Sequence, residues 1–168
     1  MSATLKIDFV SDISCPWCAI GLSSLLQALA RGEGDIQAQV HCQPFELNPH
    51  MGPGGQDIGE HLSEKYGSTA EQQDQIRETI RQRGAEVGFE FSPAGRGRIY
   101  NTFDAHRLLH WAAEIDASGK QQIALKQALL KAYRAFDDIG RLQYLVYRYP
   151  QLQRDVDTRD QTVAAKYQ

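Results

Sequence analysis

Cys15 and Cys18 are separated only by Pro16 and Trp17, and they stand where an apolar run gives way to an amphipathic one. Leu5, Ile7, Phe9 and Val10 precede them; Leu22, Leu25, Leu26 and Leu29 follow. The first pattern predicts a buried strand over residues 5–10, and the second a helix over residues 17–31 stopped by Gly32 and Gly34. A Cys-x-x-Cys pair at a strand-to-helix junction is where dithiol–disulfide chemistry is usually built, so this stretch constrains the chain most. The helix N-terminus, with unpaired N–H groups and the positive end of the dipole, favours a thiolate at Cys15. Cys18 follows one turn on, within reach of a mixed disulfide formed at Cys15. Pro16 suits the first helical turn, where its missing N–H would have had no partner.

Ile36, Ala38, Val40 and Cys42 then alternate with Gln37, Gln39, His41 and Gln43, the period of a strand with one buried face. Strand, helix and strand in this order predict a right-handed βαβ unit with a parallel pair. A Gly/Pro-rich loop occupies residues 51–56, and from there the periodicity is helical. Asp57 with Glu60, and Ser68 with Glu71, have the spacing of helix starts. Ile76, Ile80 and Val87 stripe one helix that Gly88 ends, and residues 92–98 read as a loop. A helix over residues 102–117 carries Phe103, His106, Leu109 and Ala113 on one side. Ile123, Leu130 and Tyr133 mark the next; Leu142, Leu145, Val146 and Tyr149 another, closed by Pro150; Leu152, Val156, Val163 and Tyr167 the last. Residues 1–49 are therefore expected to form a βαβ part, and residues 50–168 a mainly helical part.

A length of 168 residues suits one domain, or a small one carrying an insertion. The net charge of −3, with no long run of one sign, argues against the basic face that nucleic-acid binding needs. Arg81, Arg83, Arg96 and Arg98 are interleaved with Glu78, Glu86 and Glu90, which reads as a solvated mixed surface. No apolar run is long enough to span a bilayer, and the first residues carry no leader pattern, so the expected location is the cytoplasm. Three cysteines are too few for a disulfide scaffold, and a reducing compartment leaves catalysis or metal binding as uses for a Cys pair.

Zinc could draw on Cys15, Cys18, His41 and Cys42, but His41 and Cys42 are neighbours on a strand and point to opposite faces. Redox chemistry without a metal is the expectation. Cys42 reads as a small buried hydrophobe and His106 as a core histidine. Asp12 reads as a turn residue, with proton transfer to Cys18 as the alternative use of it or of Asp8. Trp17 either shields the thiols and binds substrate or simply packs.

The stretches Val10-Ser11-Asp12-Ile13-Ser14-Cys15-Pro16-Trp17-Cys18, Pro44-Phe45-Glu46-Leu47-Asn48-Pro49 and Asn101-Thr102-Phe103-Asp104-Ala105-His106-Arg107-Leu108 resemble the DsbA-like branch of the thioredoxin superfamily, and within it the FrnE-type members. The resemblance implies an α/β thioredoxin-like fold split by a large helical insertion. It implies a dithiol–disulfide oxidoreductase with Cys15 as nucleophile and Cys18 as resolving thiol. Pro16, Trp17, Asn101 and His106 would meet the substrate, a disulfide-containing protein or a small thiol. No bound cofactor is implied, with glutathione at most a co-substrate. Partners among nucleic acids or membranes are not expected. Such folds return to the sheet through a Val-Pro step with a cis bond, a hairpin and a final helix. No proline here replaces that step, since Pro150 reads as a helix end, and the C-terminal strands are expected to be missing from this chain. Self-association as a homodimer, or a longer parent protein, would then complete the sheet. Two rivals stand beside this reading. One is a glutathione-dependent enzyme resembling 2-hydroxychromene-2-carboxylate isomerase or kappa-class glutathione transferase, which use a serine or a lone thiol. The other is a binding or assembly protein with impaired catalysis.

Overall fold

The computed structural model describes residues 4–32 and 36–135. The expectations for residues 142–167, including the Pro150 helix end, and for the C-terminal return to the sheet lie outside the described residues, as does Gly34.

The chain starts with strand β1 (Thr4–Ser11), helix α1 (Pro16–Arg31) and strand β2 (Gln37–Pro44). β1 and β2 pair in parallel, with Ile7 opposite Val40 and Phe9 opposite Cys42. The alternation read from the sequence holds on β2, where Val40 and Cys42 are buried, but Ile36 precedes the strand and is exposed. On β1 the expectation of a buried strand needs correcting. Leu5 and Val10 are 52% and 60% exposed, while Ile7 and Phe9 are half-buried. Side chains alternate along a strand, so Val10, next to inward Phe9, faces the other way.

Gln56–Asp57 (β3) leads into α2 (Ile58–Tyr66), and α3 (Ala70–Glu86) follows. Asp57 caps α2 as expected, accepting from Gly59 N at 2.8 Å and Glu60 N at 3.0 Å. The α3 cap is Thr69 rather than Ser68. Thr69 and Gln72 form the reciprocal capping box, and Ser68 Oγ instead donates to Leu62 O at 3.1 Å, closing the end of α2. Arg98–Ile99 (β4) pairs antiparallel with β3 inside what reads as loop on both sides. Strands of two residues leave no period to detect.

Helices α4 (Phe103–Ile115) and α5 (Lys120–Ala135) complete the described structure. His106, Leu109 and Ala112 form the buried side of α4, whereas Phe103 is exposed. α5 buries Leu129, Leu130 and Tyr133, and also two polar residues one turn apart, Gln122 and Lys126. Gly119 lets α5 start against β2: its φ is +76°, and a Cβ there would lie 2.6 Å from Val40 O. Gln122 then clamps the β2 backbone. It accepts from Cys42 N at 2.8 Å and donates to Cys42 O at 2.9 Å and Leu109 O at 3.1 Å. Behind α1, Ala19 and Leu22 pack with Phe89 and Leu130, and Phe9, Leu26, Val87, Phe91 and Ile123 surround them. Burying these side chains is what fixes the N-terminus of α1, and so the thiols, against β1 and α5. Among the described residues no helix is long and apolar enough to cross a membrane.

Candidate active site

Cys15 is the N-cap of α1, with extended backbone (φ −85°, ψ 117°) and Pro16 in the first turn. Its side chain makes no capping hydrogen bond to the helix. Cys15 and Cys18 are both free thiols and half-buried; Cys42 is free and buried. The Cys18 thiol donates to the Cys15 sulfur. That bond, reinforced by burial, holds the Cys18 thiol far above the ordinary range, while the Asp12 N–H and Lys126 pull it down. Burial alone pushes the Cys42 thiol up, against a smaller opposing pull from Lys126. The two thiols of the motif therefore stand in unequal surroundings. Cys18 is the thiol that holds its proton more tightly, with Cys15 beside it as the first cause.

The loop from β1 to α1 is set by Asp12, only 1% exposed. Its carboxylate accepts from Ser14 N at 3.1 Å, from Ser14 Oγ at 2.9 Å and from Leu47 N at 2.7 Å. His106 Nε2 stands 3.5 Å away. Burial pushes the Asp12 carboxyl up, but His106, the Leu47 and Ser14 N–H groups and Thr102 outweigh it and hold the group well below the usual carboxylate range. The turn reading of Asp12 accounts for the bonds to Ser14. The bond to Leu47 goes further, because it ties the segment after β2 to the thiol loop.

Arg96 is the largest departure from the solvated surface expected of the arginines. Its Nη1 donates to Ser14 O at 2.8 Å, and its guanidinium lies over the Tyr133 ring, 5.4 Å from the centroid. Burial lowers its pKa, and the charges of Tyr133, Cys15 and Asp12 oppose that shift. A cation thus sits beside the first thiol, delivered from a loop that lies about eighty residues away in sequence. Arg81 and Arg83 do pair with acidic neighbours as expected, Arg81 with Glu78 at 2.7 Å and Arg83 with Glu86 at 3.2 Å along α3.

Cys15, Pro16, Trp17 and Arg96 line a groove of about 710 Å³. Its walls include Ile58, Leu62 and Tyr66 of α2, Ile76 and Ile80 of α3, and Phe91, with Asp74, Arg77, Glu78 and Arg81 of α3 lining it as well. Trp17 is 49% exposed. Asn101 stands elsewhere: its Nδ2 donates to Pro49 O and Met51 O at 3.4 and 3.3 Å, and its Oδ1 accepts from Phe103 N at 2.8 Å. It fastens the loop after β2 to the start of α4. His106 lies buried behind Asp12 rather than in the groove. Arg96 and Lys126 are the functional candidates that sequence reasoning missed. A lysine on the striped face of α5, at i+3 from Ile123 and i−4 from Leu130, was the signal available for the second.

The family profile described as a DSBA-like thioredoxin domain matches residues 6–144. A crystal structure of a probable DsbA oxidoreductase from Streptomyces coelicolor matches with a TM-score of 0.74 and 29% sequence identity, covering 92% of this chain and 68% of that one. Among curated proteins none matches. The fold is a DsbA-like thioredoxin fold, mixed α/β, with five helices among the described residues.

Proposed function

We propose that this chain, which belongs to the DsbA-like thioredoxin domain family, is a thiol–disulfide oxidoreductase of the FrnE type whose centre is Cys15-Pro16-Trp17-Cys18. The observation that carries the reading is the placement of Cys15 as the N-cap of α1 with Cys18 one turn on, beside it and disposed to keep its proton. In the reductive direction the Cys15 thiolate attacks one sulfur of a substrate disulfide. A Cys15–substrate S–S bond forms, and the other substrate sulfur leaves as a thiolate and takes up a proton. Cys18 then loses its proton and attacks Cys15 Sγ, releasing the second substrate thiol and leaving the Cys15–Cys18 disulfide. Oxidation of a substrate dithiol is the reverse sequence. The dipole of α1 and the charge of Arg96 favour the Cys15 thiolate in both directions.

The groove beside Cys15 suits the apolar flank of a disulfide-containing protein or small thiol, with Pro16 and Trp17 against it. Asn101 and His106 serve that site from behind, by holding the 49–51 loop and Asp12. In a reducing cytoplasm the pair would rest as the dithiol, ready to reduce or isomerise, with glutathione as a source of electrons. Oxidation of the purified chain by a small disulfide, followed by peptide mapping, tests the assignment. A Cys15–Cys18 bond with Cys42 still reduced is the expected product. A bond that involves Cys42, or glutathione retained on Cys15 with Cys18 unreacted, would favour another chemistry.

A further inference from the structure

Lys126 is 0% exposed, and among the described residues no carboxylate lies within ion-pair distance of it. Its Nζ donates to Ser11 O at 3.3 Å. That carbonyl belongs to the peptide unit whose N–H is Asp12's, and the Asp12 N–H is among the groups that favour the Cys18 thiolate. One peptide group therefore joins the lysine to the resolving thiol, its oxygen accepting from the lysine and its N–H favouring the thiolate. A cation on the oxygen polarises the group and strengthens that effect, because hydrogen bonds in series reinforce one another at low dielectric.

We propose that Lys126 is a positioning residue for the second thiol, acting through the Ser11–Asp12 peptide and by its own charge to favour the Cys18 thiolate during resolution. The inference rests on the oxidoreductase reading above. The moment at which it acts follows from the groups around Cys18. In the dithiol, the bond to Cys15 is the first of the influences that keep the Cys18 proton in place. That influence vanishes once Cys15 is tied up in a mixed disulfide. Burial then opposes ionisation, and the Asp12 N–H and Lys126 favour it. The charged or titratable groups facing Lys126 are Asp12, Cys15 and Cys18 from the β1–α1 segment and Cys42 from β2. Cys18 gives up its proton, its electron pair forms the bond to Cys15 Sγ, and the substrate sulfur leaves with the pair from the broken bond. Lys126 keeps its own proton throughout. The same buried charge opposes folding, since burial lowers the lysine's pKa and leaves the charged form less favoured than in water.

The test uses the full chain with Cys15→Ser and Cys42→Ala, which leaves Cys18 alone and mimics the loss of the Cys15 charge. Iodoacetamide alkylation of Cys18 is followed across a pH series, with Lys126 intact or replaced by Met or Gln. Lys126→Met is expected to move the alkylation midpoint up by about one pH unit or more, which is about tenfold in thiolate population at a given pH. Lys126→Gln, which keeps a donor for Ser11 O but no charge, is expected to fall between. Both variants are expected to melt at or above the parent temperature. An unchanged midpoint overturns the proposal and leaves the oxidoreductase reading intact, because alkylation needs no disulfide partner. Variants that do not fold also overturn it, since they would make Lys126 a structural requirement.

Discussion

Arg96 Nη1 lies 2.8 Å from Ser14 O, so the guanidinium is fastened to the residue directly before the first thiol. The Tyr133 ring beneath it, itself held by the Tyr100 N–H at 3.1 Å, prevents the arginine from swinging out into solvent. A charge held in this way stands beside Cys15 at the edge of the groove.

Removing that charge should therefore slow Cys15 without unfolding the chain. Arg96→Met is expected to reduce the rate of Cys15 alkylation near neutral pH by roughly three- to tenfold, the effect of a cation on thiolate population. Arg96→Lys should recover part of the rate, as a point charge without the fork that reaches Ser14 O. Quenched alkylation with peptide-level mass spectrometry measures this. Cys15 reacting before Cys18 in the parent chain is part of the same expectation, and preferential labelling of Cys18 would reverse the roles.

Asp12 makes stability depend on acid. Its folded carboxyl is held below the unfolded value, so as pH falls the unfolded chain takes up the proton first. The stabilisation is complete above the unfolded value of about 3.9 and is lost as pH drops through the folded one. Urea midpoints measured from about pH 7 to about pH 3 should decline in the lower half of that range. Asp12→Asn should flatten the decline and lower stability at neutral pH by about 1–3 kcal/mol, because the Leu47 and Ser14 donors lose a charged acceptor.

Gln122 gives a test of the fold itself. Its amide meets both the N–H and the C=O of Cys42, at 2.8 and 2.9 Å, in the manner of a neighbouring strand. Gln122→Ala would leave two backbone groups buried without those partners, at a cost of about 1–3 kcal/mol in the urea-unfolding free energy. A loss below about 0.5 kcal/mol would show that water replaces the side chain there.

The elements that carry the thiols were legible because their patterns are long. β1, α1 and β2 each span enough residues for a period to repeat, and Pro16 and Gly32 punctuate the helix. β3 and β4 offered no such repeat. Ser68 and Thr69 are both competent caps, and only the closing of α2 by Ser68 decides between them. The site was half legible for a different reason. Cys15 and Cys18 announce themselves by spacing, whereas Arg96 and Lys126 act on them across separations of about eighty and over a hundred residues. A charged residue on a mixed helix or in a loop looks the same in sequence whether it faces water or a buried carbonyl. Asp12 lies between the two cases: its bonds to Ser14 are local and readable, and its bond to Leu47 is not.

The account depends most on the division of labour between the two thiols, and trapping the mixed disulfide tests it directly. The chain carrying Cys18→Ala is mixed with a protein disulfide substrate such as insulin, and the adduct is read by intact mass and peptide mapping. The account predicts a substrate-linked species joined through Cys15 that accumulates in Cys18→Ala, is short-lived in the parent and is absent in Cys15→Ser. Undiminished disulfide reduction by Cys18→Ala with glutathione present, and no trapped adduct, would contradict it and point to a single-thiol, glutathione-dependent enzyme.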